Sequence, residues 1–320
     1  MSHQSALAGV ARARKGVGAA GGGQRIPAGG RRRTGGRALT LALFAAPSAA
    51  LLALLTLYPL AYGLFQSVSN GTLISSGSFV GLQNYVSNLS SENFWHAAGF
   101  TVIFTVSGVF GSWLIGLGLA LLLRTRPPGA AIWKTLLLLP WTVPVVVSAT
   151  SWNWLVATPQ SPLPQLAAAL GLGNVLFLAN PVLAQVTVCV FKIWVSFPFM
   201  MMMMSSALSS VDTQLYEAAK LDGATAWQTF RSITLPLISQ STFISWILMT
   251  IFCVNDFPTI FLLTSGGPVY ATTSLVVLAY RTVFQSFNTG LGVAAAFLMT
   301  FVLIVVSVAL YRWVRRVPSE

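Results

Sequence analysis

Acidic residues are nearly missing from this chain: six Asp and Glu stand against 18 Lys and Arg, and charges of either sign fill only 8% of 320 positions. So sparse a set cannot clothe a water-soluble domain, which carries about a quarter of its residues charged. Imidazoles are as scarce. The two histidines, His3 in a polar tail and His96 beside Trp95 at an apolar boundary, exclude a histidine-based catalytic cluster. The two cysteines, Cys189 and Cys253, lie in apolar runs, which argues against a disulfide framework or a metal site and makes them small buried hydrophobes. No GxxxxGK[ST] phosphate loop occurs, so ATP has no such site here.

Apolar residues are abundant instead, at 55% of the chain, with a mean hydropathy of +0.75. Lipid is the solvent such a composition fits. The net charge of +12 does not point to nucleic acid, because the basic residues are not interleaved with aromatics on any folded-looking segment. Residues 1–37, rich in Gly, Ala and Arg, bury too little apolar surface to fold and are expected to form a disordered basic tail. Gly16, Gly18 and Gly21 satisfy GxGxxG there, but no strand precedes and no helix pattern follows, so the match is compositional. The apolar run after the tail far exceeds the h-region of a cleavable signal peptide.

A membrane helix needs about 20 apolar residues. Six such runs are expected, at 39–65, 97–123, 135–156, 182–208, 237–263 and 291–310, within a membrane domain spanning 38–314. Pro159, Pro162, Pro164, Gly171, Gly173 and Pro181 divide the third from the fourth, and 272–287 is too short and polar to span alone. Lys and Arg favour the cytoplasmic side. Placing both termini inside, 315–320 included, puts sixteen of the 18 basic residues there, among them Arg124, Arg126, Lys134, Lys220 and Arg231. Gly108, Ser112 and Gly116 repeat every four residues and permit close helix approach, and prolines 47, 59, 140, 144 and 198 are expected to kink or interrupt spans.

The inside connector 209–236 is too long for a tight turn. Ser209 or Asp212 can cap a short helix, Gly223 can end it with a positive φ, and Trp227, Phe230 and Ile233 recur every three residues as a second short helix. Glu217 and Asp222 beside the small Ala218 and Ala219 fit a docking knob better than a lipid-surface helix, which favours basic faces and bulky anchors.

Glu217-Ala218-Ala219, Asp222-Gly223-Ala224 and then Phe230, Ile233, Leu235 and Pro236 resemble the EAA loop of permease subunits of binding-protein-dependent ABC importers. Phe79-Val80-Gly81-Leu82-Gln83-Asn84-Tyr85 and Thr264-Ser265-Gly266-Gly267-Pro268 are similar to the sugar-importer branch, of which the maltose permease is a member. Val211-Asp212 and Gln240 depart from the usual pattern, where Pro is common. The Arg-, Gly- and Ala-rich tail resembles sequences of high-GC actinobacteria, where disaccharide importers, trehalose importers among them, occur. The resemblance implies an all-α type I importer permease of the bacterial plasma membrane. It further implies a second homologous permease subunit, two ATPase subunits that bind ATP and Mg, and an extracytoplasmic binding protein that delivers a sugar. Within it, Glu217 makes a polar contact with the ATPase, Ala218 and Ala219 pack in its cleft, and Gly223 ends the helix.

Lys192 and Asp256 are the charges inside spans, costly enough to suggest purpose. Their depths allow them to meet, either as an ion pair tying two helices or as solute contacts. Trp194, Phe197, Phe199 and Phe257 with Asn255 are candidates for a sugar-stacking wall near the midplane, with ordinary core packing the alternative for each. The run Met200 to Met204 visits every face of its helix and suits adaptable packing. Rival readings are the same machinery carrying a glycerol phosphate ester, a transporter or channel working alone, and a membrane enzyme such as a lipid-linked glycosyltransferase. The last is disfavoured, because only Glu92 offers a carboxylate on the outward connectors.

Overall fold

The computed structural model describes residues 34–75, 77–125 and 127–314. The basic tail lies outside these as far as residue 33, and a helix starts within its last positions, at Thr34; residues 315–320 lie outside as well. The chain forms two units, 1–58 and 59–320. The described part of the first is helical and belongs to α1 (Thr34–Ser67), which continues into the second.

The second unit continues with α2 (Gln83–Leu89), α3 (Glu92–Arg124), α4 (Ala130–Thr142), α5 (Val145–Val156), α6 (Pro162–Ala169) and α7 (Pro181–Ser209). Then come α8 (Thr213–Leu221), α9 (Ala226–Thr229), a π-helical turn (Phe230–Thr234), α10 (Leu235–Val254), α11 (Phe257–Thr264), α12 (Leu275–Phe284) and α13 (Thr289–Val314). Among the described residues, five helical stretches are long and apolar enough to cross a membrane, and there are six if α4 and α5, bent by 90° at their junction, count as one span.

The bend is a proline effect: Pro144 pushes Val143 into an extended conformation, with φ −71° and ψ 134°, and α5 starts afresh after it. Pro140 and Pro198, by contrast, stay inside continuous helices. The fifth expected span differs more. Its apolar run 237–263 is not one helix, because α10 stops at Val254 and α11 begins at Phe257. Asp256 caps the new helix, its Oδ1 accepting from the Thr259 N–H at 3.0 Å, and Pro258 in the first turn lacks the N–H that would continue the old one. At its other end α10 reaches further than expected: the second short helix read around Trp227 is the start of an unbroken helical stretch, 226–254.

Helix α3 packs along α7 over most of its length. A Cβ added at Gly116 would stand 2.7 Å from both Met200 Cβ and Met201 N of α7, and one at Gly108 would stand 3.2 Å from Lys192 Cγ of α7 and 2.8 Å from Cys253 Sγ of α10. The small residues therefore set the separation of the two helices, which in lipid is governed by packing rather than by escape from water. Phe104, Phe191, Met200 and Met249 are fully buried around this contact.

At the end of the bundle opposite α8, Asn84 donates to Ser67 O and Ser69 O, both at 2.9 Å. Asn88 donates to Leu291 O at 2.9 Å, which ties α2 to α13.

Candidate functional site

Helix α8 is a short knob with defined ends. Asp212 Oδ1 accepts from the Gln214 N–H at 2.9 Å, so Asp212 rather than Ser209 is the cap. At the other end the Ala224 N–H reaches Ala219 O at 2.9 Å and the Gly223 N–H reaches Lys220 O at 3.2 Å, with Gly223 at φ +75°. This left-handed closure satisfies the last carbonyls and needs a residue without a Cβ. Thr225 then starts α9 with a reciprocal capping box to Gln228.

The knob has two faces. Tyr216 turns inward, its hydroxyl 3.2 Å from Thr234 Oγ1 and its ring 4.1 Å beneath the Arg124 guanidinium. Ala219 is buried on the same side, against its own chain. Outward lie Leu215, Ala218 and Leu221, one turn apart, with Glu217 and Asp222 exposed beside them and Ala224 half-buried. Leu221 is 89% exposed. Sequence reading passed over it, although an apolar side chain next to the helix-ending Gly is what a docking surface displays.

Deeper in the bundle, Lys192 Nζ lies 2.7 Å from Asp256 Oδ2, with both side chains about nine-tenths buried. Asp256 Oδ2 also accepts from Thr259 Oγ1 at 2.8 Å. The pair satisfies itself and fixes the start of α11 against α7.

The expected aromatic wall is not formed as one surface. Phe197 is buried, Trp194 joins Trp152 and Phe191, and Phe257 stacks on Phe261 at 4.7 Å. Phe199 instead stacks on Trp141 of α4 at 5.3 Å and meets Phe252 of α10 edge-on at 5.8 Å. Trp141 and Phe252 are 40% and 44% exposed, and exposed Asn255 lies one turn beyond Phe252. The bend between α4 and α5, signalled by Pro144 but not in its direction, brings Trp141 to this shelf.

Residues 112–317, which contain α7, the α8 knob and both buried charges, match the family model for the binding-protein-dependent transport system inner membrane component. The chain belongs to that family. This permease is 35% identical over 245 residues to the trehalose/maltose transport system permease protein MalF of Thermococcus litoralis, covering 77% of this chain and 82% of that one. It is 31% identical over 268 residues to the sulfoquinovosyl glycerol permease SmoG of Agrobacterium fabrum, covering 82% and 86%. It is 28% identical over 270 residues to the trehalose permease SugA of Mycobacterium tuberculosis, covering 80% and 82%.

Among solved structures, a chain of a bacterial ABC transporter involved in the import of the acidic polysaccharide alginate superposes with a TM-score of 0.76 over 88% of this chain and 96% of that one, at 22% identity, which shows the shared fold. The permease is thus a multi-pass inner-membrane component of an ABC importer that works with a binding protein, and ATP hydrolysis resides in a separate subunit.

Proposed function

We propose that this permease forms one half of a carbohydrate pathway, a di- or oligosaccharide passing between it and a second homologous permease subunit, and that α8 is its coupling helix. The observation that carries the reading is α8 itself: a rigid knob with an outward apolar row, two exposed carboxylates, and an inner face locked to Arg124 and Thr234. In this reading each of two ATPase subunits grips one such knob. Leu215, Ala218 and Leu221 fill its cleft, Glu217 and Asp222 meet polar groups at the rim, and Gly223 with Ala224 closes the helix. When the ATPases close on ATP and Mg, the knobs are drawn together and the cavity changes its open side; hydrolysis resets it.

The carbohydrate assignment is supported by the names of the relatives, trehalose and maltose among their solutes. The shelf of Trp141, Phe199 and Phe252 beside Asn255 supports it too, since ring faces and an amide suit the two sides of a sugar. Lys192 and Asp256 act as a positioning pair rather than as solute ligands.

Uptake of labelled disaccharides by the assembled importer in proteoliposomes tests both parts. Gly223→Pro, which cannot reach φ +75° and removes the N–H bound to Lys220, is expected to leave the protein in the membrane and ATP hydrolysis running while uptake is lost. Normal uptake by that variant refutes the coupling assignment. Transport of a glycerol phosphate ester in place of any sugar refutes the carbohydrate one.

A further inference from the structure

Helix α3 ends at Arg124, α4 carries Lys134 one turn past its start, and α7 ends at Ser209; between these ends lies a cavity of about 380 Å³ whose polar lining is Arg124, Lys134, Ser205, Ser209 and Thr213, with apolar residues such as Leu123 and Leu208 forming the rest. No carboxylate lines it. Among the described residues the ion pairs are His96–Glu92 and Lys192–Asp256, so neither cation of the cavity is neutralised by the chain. The Arg124 guanidinium is nonetheless held in place, its Cζ 4.1 Å from the centre of the Tyr216 ring, a contact that uses none of its N–H donors in a hydrogen bond to the ring hydroxyl. Among the described residues, the hydroxyls of Ser205 and Thr213 have no hydrogen-bond partner.

We propose that this cavity binds the phosphate of an anionic phospholipid of the cytoplasmic leaflet. Two positive charges, Arg124 held over Tyr216 and Lys134 without a partner among the described residues, form with two free hydroxyls a donor set for a phosphodiester, and the volume suits a headgroup rather than a whole lipid. A lipid is favoured over a protein carboxylate by what flanks Lys134. Ile132, Trp133 and Leu136 on α4 are 66%, 55% and 49% exposed, an apolar strip with an interfacial tryptophan along which acyl chains lie. The site rests on the proposed docking of α8 to an ATPase, which places this end of the bundle on the cytoplasmic side, but its readout is bound lipid and not uptake. Failure of coupling and failure of this site are therefore seen in different measurements.

Native mass spectrometry of the detergent-purified importer complex, delipidated and then titrated with phosphatidylglycerol, phosphatidylcholine or inorganic phosphate, tests it. Phosphatidylglycerol is expected to be retained in preference to phosphatidylcholine, with about fivefold weaker retention in Lys134→Gln, the effect of one basic residue at a charged headgroup. Lys134→Arg is expected to keep the lipid, and Arg231→Gln, which lies outside the cavity, to change nothing. Lys134 makes no hydrogen bond or ion pair among the described residues, so its replacement leaves the fold intact. Equal retention by Lys134→Gln, displacement of the lipid by millimolar inorganic phosphate, or protection of Lys134 from amine labelling only when the ATPase is present would each overturn the proposal.

Discussion

The 2.7 Å contact between Lys192 and Asp256 governs what their substitution should do. Removing one partner of a buried pair strands the other charge, at a cost of about 3–5 kcal/mol, whereas removing both leaves a neutral site. Lys192→Met and Asp256→Asn are each expected to lower the amount of permease in the membrane sharply, and the double variant to recover most of it; quantitative blotting of membrane fractions measures this. Persistent loss in the double variant would refute the ion pair as what makes each charge tolerable. That the two could meet was legible, because helical rise counts residues along the axis. Their pairing was not settled, because rise says nothing of azimuth. The same blindness explains the aromatics: Phe199 was named, but Trp141 and Phe252 were not, since the 90° bend at Pro144 decides what α4 meets.

At the scale of elements, capping chemistry explains which readings succeeded. Asp212 and Gly223 are strong start and stop signals, and α8 lies where they place it. The break in the fifth span carried its own signal, Asp256 two residues ahead of Pro258, but hydropathy alone reads across it because both flanks are apolar. Gly108, Ser112 and Gly116 were legible as a close-packing face because small residues at every fourth position leave few other uses. Gly116→Leu, which drives a side chain into the α7 backbone at Met201, is expected to abolish membrane accumulation, and Gly118→Leu, with open space around its Cβ direction, to be tolerated. Comparing detergent-solubilised yields of the two variants checks this. On α8, Leu221→Asp is expected to leave yield unchanged and to reduce copurification of the ATPase subunit at least several-fold, as the loss of an apolar anchor does at an interface.

For the molecule as a whole, composition pointed to lipid as the solvent and the loop charges pointed to cytoplasmic termini, because a chain with 8% charged residues has few places to put them. About six crossings followed from run lengths, and the helices agree with that number. The identity of the solute lay beyond such reasoning, since an importer of this family receives it from a separate binding protein. Affinity purification of this permease is expected to bring down a second permease and an ATPase in fixed ratio, whereas solute flux through the isolated chain would return it to the class of transporters that work alone.

The uninterrupted helix from Ala226 to Val254 has a mechanical corollary. Twenty-nine residues at 1.5 Å each make a rod of roughly 43 Å, jointed at its base by Gly223 and released at its tip by the gap at Asn255. A tilt of only about five degrees at the joint sweeps the far tip by roughly 4 Å, close to the width of a water layer, so a small stroke below suffices to seal or unseal a passage above.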